Sequence, residues 1–404
     1  MEFDLTWVFL GLPAAFAAGW FASRFDIKQW RAETRSAPKS YFKGLNYLLN
    51  EQQDKAIDAF IEAVQQDPDT TELHFALGNL FRRRGDYDRA VRVHEHLLKR
   101  ADLSRADRDR AQHALALDFT KAGILDRAEA SLKLLADTPY RNEALLTLLT
   151  LYERTSDWPH AIETAKLLEA AEQGSFRSRI AHYLCEMARE TRQRAAAAPN
   201  TDDSTAAQAH AIATLSEAQS NCPDAARPRM DLAKMQERQG NLPAAYQTLL
   251  TLAQDVPNAL PLAAGRLASL AVATGRQQEV HSLLSAAQAK RPCIDYVDAL
   301  VALTDAADRS AAAHLYLEHL EREPSLVAAN NWLKLQQPQP DLAEPATGTP
   351  KPVPESVCKA LAGATQPLRR YRCAACGFEA VGYFWQCPGC QSWDTYSPRR
   401  VEEL

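Results

Sequence analysis

The chain has 404 residues, 46% of them apolar and 24% charged, which excludes wholesale disorder and a polytopic membrane protein and leaves room for two or three structural units. Glycine is scarce at 15 residues, which disfavours Gly-rich nucleotide folds and turn-dense all-β folds. A net charge of −5 provides no global basic field for nucleic acid. Eight cysteines are too few for a disulfide scaffold, yet four of them fall within eighteen residues near the C-terminus, which points to a metal.

The first predicted element is a membrane anchor over residues 1–23. Leu5 to Ser23 is a run of nineteen residues without a charge. As a helix at ~1.5 Å per residue it spans about 28 Å, close to the hydrocarbon thickness of a bilayer. Trp7 and Trp20 sit near its ends, where indole rings favour the interface. A cleaved signal peptide carries positive charge before its apolar run; here Glu2 and Asp4 come first and Arg24, Lys28, Arg31 and Arg35 follow. Residues 24–36 therefore read as a basic juxtamembrane segment. The positive-inside rule places the N-terminus outside and the bulk of the chain in the cytoplasm. Reduced thiols suit that side, so Cys185, Cys222, Cys293 and Cys358 need no disulfide partners.

Residues 37–335 carry an internal repeat. Gly44 and Gly78 are 34 residues apart, as are Ala56 and Ala90, and Pro223 and Pro257 keep the same spacing downstream. That period is the tetratricopeptide length, with an aromatic–Leu–Gly–aromatic helix A and an Ala–apolar–Ala helix B. Gly44 and Gly78 let helix A approach its partner, Tyr47 and Phe81 fill the space between helices, and Pro68 ends a helix B. Later units keep their helix-B alanine at Ala128, Ala161, Ala211, Ala245 and Ala312, with Val280 in one unit. An insertion from Arg194 to Ser204, opening on an Ala run, is expected to separate the two helices of the fifth unit. The fold class is all-α: a tetratricopeptide-repeat α-solenoid of eight or nine helix pairs, with a groove lined mainly by A helices. Such grooves bind peptides and partner domains and seldom perform chemistry.

Residues 336–357 form a Pro-rich, extended linker, with a short helix expected at 355–364. Residues 358–404 then hold Cys373-Ala-Ala-Cys376 and, after ten residues, Cys387-Pro-Gly-Cys390. Two such pairs form tight knuckles, each placing two sulfurs on one ion, so Cys373, Cys376, Cys387 and Cys390 are the metal-ligand set. Four thiolates leave no open position, so the site reads as structural rather than hydrolytic; spacing does not decide between iron and zinc. A module this small depends on the metal for its fold. Phe378, Tyr383, Phe384, Trp385 and Trp393 are expected to form a mini-core around the metal rather than a base-stacking surface, so no nucleic-acid partner is expected.

Other constellations carry little. Arg82-Arg83-Arg84 reads as a solvated helix end complementing the helix dipole, and His94 and His96, two apart, do not share a helix face. No phosphate loop, nucleophile elbow or zincin motif occurs, so no catalytic residue and no enzyme activity is expected.

The order of the parts, with Lys43-Gly-Leu-Asn-Tyr-Leu-Leu-Asn50, Gln53-Asp-Lys-Ala-Ile-Asp58, Tyr371-Arg-Cys373, Cys376-Gly-Phe378, Trp385-Gln-Cys387-Pro-Gly-Cys390 and Trp393, resembles the lipopolysaccharide assembly protein B family of Gram-negative bacteria. The resemblance covers the whole chain. It implies a rubredoxin-like module with the four cysteines as ligands of one metal ion. Iron is the family expectation and zinc is chemically acceptable. Gln391 stands where rubredoxin proper has Gly, which weakens an electron-transfer role. The resemblance further implies an inner-membrane adaptor that regulates lipopolysaccharide synthesis. Its implied partners are a membrane-anchored AAA+ protease, the lipid A pathway deacetylase that this protease degrades, and other lipopolysaccharide assembly proteins; a homodimer is compatible with it. The alternatives are a general envelope-assembly scaffold without a proteolytic role, and a rubredoxin-like electron carrier docked by a solenoid.

Overall fold

The computed structural model describes residues 16–17, 19–20, 39–66, 70–197, 201–305, 308–336 and 353–404. The expected anchor and juxtamembrane segment lie almost wholly outside these residues, as do Pro68 and most of the Pro-rich linker. Among the described residues no single helix is long and apolar enough to cross a membrane.

The chain divides into two compact units, residues 1–155 and 156–404. The first holds α1 (Lys39–Leu49), α2 (Gln53–Gln66), α3 (Thr71–Arg84), α4 (Tyr87–Lys99), α5 (Arg105–Ala122), α6 (Leu125–Lys133) and α7 (Arg141–Thr155). The second opens with α8 (Trp158–Ala170), α9 (Arg177–Ala197), α10 (Thr201–Asn221), α11 (Ala226–Arg238) and α12 (Leu242–Asp255). It continues with α13 (Leu260–Thr274), α14 (Gln277–Lys290), α15 (Ile294–Leu303), α16 (Arg309–Arg322), α17 (Leu326–Gln336) and α18 (Glu355–Thr365). Odd-numbered helices are the A helices of the repeat and even-numbered ones the B helices.

Punctuation by single residues explains the alternation. Gly85, Gly123, Gly240 and Gly275 end A helices in the left-handed region, where they close the last turn. B helices begin on side-chain caps. Asp157 accepts from the His160 amide, Asn241 from the Ala244 amide and Asp308 from the Ala311 amide, each worth about 1 kcal/mol.

The small residues of the repeat sit where packing demands them. A Cβ placed on Gly44 would come within 2.8 Å of the Phe60 ring, and one on Gly78 within 2.5 Å of the His94 ring. Ala56 and Ala90 are fully buried against these A helices in a core with Phe60, Leu77 and Phe81. In the second unit Ala161, Ala211, Ala245 and Val280 are equally buried, and a continuous core runs from Ala226 to Leu300.

One detail differs from the sequence expectation. The insertion in the fifth pair does not loop out along its length. Arg194–Ala197 continue α9, and Thr201 to Ser204 already belong to α10, so both helices reach 21 residues. Alanine has the highest helix propensity, so an Ala run extends a helix sooner than it breaks one. The short helix expected at 355–364 forms as α18 and packs on α17, where Asn330 donates to the Thr365 hydroxyl at 3.4 Å. Among the described residues it completes a ninth helix pair.

After α18 the chain forms a two-stranded antiparallel ribbon, β1 (Tyr371–Arg372) with β2 (Glu379–Ala380), in register Tyr371–Ala380. Single bridges Cys373–Tyr396 and Gln386–Trp393 hold the rest of the module.

Candidate metal centre

Each knuckle is closed by its own backbone. The Gly377 amide donates to the Cys373 carbonyl at 2.9 Å, and the Gln391 amide to the Cys387 carbonyl at 2.7 Å. Both turns need a left-handed residue directly after the second cysteine. Gly377 adopts φ +77° at no cost, whereas Gln391 adopts φ +60° despite its Cβ. The departure from Gly at position 391 is therefore accommodated in the turn without changing it.

The four sulfurs of Cys373, Cys376, Cys387 and Cys390 lie within 4.8 Å of one another. A tetrahedral ion with metal–sulfur bonds of about 2.3 Å requires sulfurs about 3.8 Å apart. Cys373 and Cys390 are 3.8 Å apart and Cys376 and Cys387 3.6 Å, so the donor set fits one tetrahedral ion. The electrostatics agree. Desolvation works against the Cys373 thiolate, but the Thr395 hydroxyl and the Cys376 and Ala375 amides outweigh it and bring its pKa down to about 6. At Cys376 the Phe378 amide favours the thiolate, yet desolvation and the neighbouring sulfurs push the pKa up to about 12. Four sulfurs this close all ionise only around a cation.

The module does not stand apart from the repeats of its unit. Trp393 is nearly buried, stacked on His182 of α9 at 4.9 Å between ring centres and set edge-on to Trp158 and Tyr183. Asp394 accepts from His182 Nε2 at 2.8 Å and from the Ser178 hydroxyl at 2.6 Å. Burial raises the Asp394 pKa, but these two hydrogen bonds and the His182 and Arg227 charges hold it below the ordinary carboxylate range. Leu262 of α13 packs on the core of Tyr371, Cys373, Cys387 and Tyr396.

The C-terminal tail completes the attachment. Arg400 grips Asp295 of α15 through Nη2 at 2.8 Å and Nε at 3.1 Å, with its guanidinium 4.1 Å over the Tyr371 ring. Arg399 donates to the Pro292 carbonyl. Glu403 accepts from the Ile294 amide at 2.5 Å and Glu402 from the Val327 amide at 3.1 Å. Two tail carboxylates thus sit at the N-termini of α15 and α17, where helix dipoles favour negative charge. Ser178, His182, Leu262, Asp295 and Val327 all belong to A helices, the groove-lining set.

The four ligands come together as the spacing predicts. The aromatic residues do not form one mini-core around the metal. Tyr383 packs edge-on with Tyr371 and Tyr396, but Trp393 and Trp385 face His182 on the repeats, while Phe378 and Phe384 are exposed. The repeats offer the indoles an aromatic face of Trp158, His182 and Tyr183, and packing on it removes their apolar surface from water. Nor is Arg82 a solvated helix end. Its Nη1 donates to the buried Asp118 at 2.8 Å, and His94 Nδ1 meets the same carboxylate at 2.5 Å. His94 stands 34 residues after Phe60, so the repeat register already marked it as an interior position. No comparable signal marks Ser178, His182, Asp295, Arg400, Glu402 or Glu403, which find each other only through the fold.

Residues 371–398 match the model of a rubredoxin metal binding domain and residues 73–109 that of a tetratricopeptide repeat. The chain is similar to lipopolysaccharide assembly protein B of Escherichia coli K12, 31% identical over 396 residues that cover 97% of this chain and 98% of the relative. Its counterpart in Haemophilus influenzae Rd is 28% identical over 98% of each chain. Among solved structures, a tetratricopeptide repeat protein from Parabacteroides merdae is 17% identical over 66% of this chain and all of its own, with a TM-score of 0.31.

Proposed function

The chain belongs to the lipopolysaccharide assembly protein B family, and on that footing we propose that it is an inner-membrane adaptor in lipopolysaccharide assembly. In this reading it delivers the lipid A pathway deacetylase to a membrane-anchored AAA+ protease and coordinates later lipopolysaccharide assembly proteins. The observation that carries the reading is the docking of the metal module on the A helices of the second unit through Trp393, Asp394 and Arg400. The A helices of the second unit and the metal module then offer one continuous binding surface.

The metal is iron in this reading, held by Cys373, Cys376, Cys387 and Cys390, and its work is to keep the module folded. The uncharged run Leu5–Ser23 is the anchor, with the N-terminus periplasmic and the rest of the chain cytoplasmic. Anchoring adaptor and protease in one membrane raises the effective concentration of one for the other without any new contact. The protein performs no catalysis of its own. Depletion of the protein while following the deacetylase tests the reading: the half-life of the deacetylase should lengthen severalfold. An unchanged half-life, with lipopolysaccharide synthesis still misregulated, would leave the scaffold role and remove the proteolytic one.

A further inference from the structure

Beside the docked module, the A-helix face of the second unit keeps a recess of about 460 Å³, walled by α9, α11 and α13 and by Tyr383 and Trp385 of the module. Six cationic side chains line it: Arg189 and Arg192 from α9, Arg227, Lys234 and Arg238 from α11, and Arg266 from α13. Three carboxylates answer them. Glu186 pairs with Arg189 and Arg227, Asp231 with Arg227 and Lys234, and Glu237 with Arg266, at 2.5–3.3 Å. Arg192 and Arg238 have no carboxylate partner among the described residues. A local excess of positive charge thus stands in a chain whose net charge is −5. Fields of one sign in a recess with low-dielectric walls concentrate ligands of the opposite sign.

We propose that this recess binds an extended acidic segment of a partner protein, with carboxylates on Arg192 and Arg238 and an apolar side chain against Trp385, Tyr383 and Met235. The distribution of the cations favours a chain over a small oxyanion. Neighbouring helices pack roughly 8–10 Å apart, so cations drawn from three successive A helices extend over about 20 Å. That is the length of about six extended residues, whereas a single phosphate needs donors converging on one point. The aromatic wall points the same way, since Trp385 and Tyr383 supply flat apolar surface that an inorganic anion does not use. The wall belongs to the metal module, so the recess exists only while the module is docked. Arg227 ties the two together: buried, it bonds Glu186 at 2.6 Å and lies 3.5 Å from His182, the residue that holds Asp394. This site rests on the adaptor reading and names the kind of partner segment that reading requires.

The test uses the full chain in detergent micelles and a short fluorescein-labelled peptide of glutamates around a single leucine. Its counterpart has lysine for every glutamate. Anisotropy should rise with the acidic peptide alone, and the affinity should fall steeply with added salt. Arg192→Gln combined with Arg238→Gln should weaken binding roughly tenfold or more, with metal content and thermal unfolding unchanged, because neither arginine has an ion-pair partner among the described residues. Equal binding of the two peptides, or unchanged affinity in the double variant, would overturn the site. Displacement by inorganic phosphate well beyond the effect of chloride at equal ionic strength would make it an oxyanion site and overturn the peptide assignment. The deacetylase half-life separates the two levels. A double variant that loses the peptide yet keeps the deacetylase short-lived sinks the recess as the partner site, while the adaptor reading stands. A deacetylase indifferent to depletion sinks the adaptor reading, whatever the peptide does.

Discussion

Trp393→Ala tests whether the module is held to the repeats by the indole. The side chain is 8% exposed and its neighbours across the interface are His182, Trp158 and Tyr183. Truncating a tryptophan so buried costs about 3–5 kcal/mol. Every 1.4 kcal/mol is tenfold, so the ratio of docked to undocked module should drop by roughly two to three and a half decades. The polar attachments remain: Asp394 to Ser178 and His182, Arg400 to Asp295, and the two tail carboxylates at helix N-termini. The module should therefore open often rather than leave. Metal content should not change, because the knuckles are closed by the Gly377 and Gln391 amides, which do not touch the indole. Hydrogen exchange at the amides of 371–398 and α9 would read the opening, with Phe384→Ala, 40% exposed in the wild type, as the control that changes little. Exchange as slow as in the wild type would refute Trp393 as the anchor. Stoichiometric metal loss would refute the claim that the knuckles fold without the interface.

Replacing Cys376 or Cys390 by Ser removes a soft thiolate, so the module should lose its metal and become protease-sensitive while the helical circular dichroism persists; metal analysis and proteolysis on one sample check it. Gly78→Ala should destabilise by about 1–3 kcal/mol, because its Cβ meets the buried His94 ring, itself held by Asp118; Gly265→Ala, with nothing within 4 Å, should stabilise by roughly 0.5–1 kcal/mol in the same urea titration. The Asp394 pKa is depressed in the folded state, so its contribution to docking is complete above the unfolded value near ~4 and lost as pH falls through the folded one. Module opening should accordingly rise at acid pH in the wild type, and Asp394→Asn, already opened, should lack that part of the pH dependence when hydrogen exchange is followed from pH 6 downward.

What the sequence by itself determined is what depends on neighbours along the chain. The 34-residue spacing of Gly44 and Gly78, and of Ala56 and Ala90, specifies helix pairs because the close approach of two adjacent helices needs a missing side chain at one fixed place in each pair. The paired cysteines specify a metal site because each knuckle is a single tight turn, complete within a few residues. Gln391 shows how local that turn is: it holds the left-handed conformation of its glycine counterpart, with φ +60°. Only the tertiary structure decided where these parts meet. Asp394 reaches Ser178 and His182 across more than two hundred residues, and Arg400 reaches Asp295 across 105. Ionic and aromatic partners so far apart leave no period or spacing in the chain, since any surface arginine or tryptophan looks the same until the fold presents it. The fate of the Ala-rich insertion was decided in the same way. Its helical propensity was written in the residues, but burial of Ala195 and Ala211 within the pair favoured longer helices over a loop. The recess of Arg192 and Arg238 exists for that reason too: three successive A helices bring six cations to one face, and the metal module, distant in sequence, closes its aromatic side.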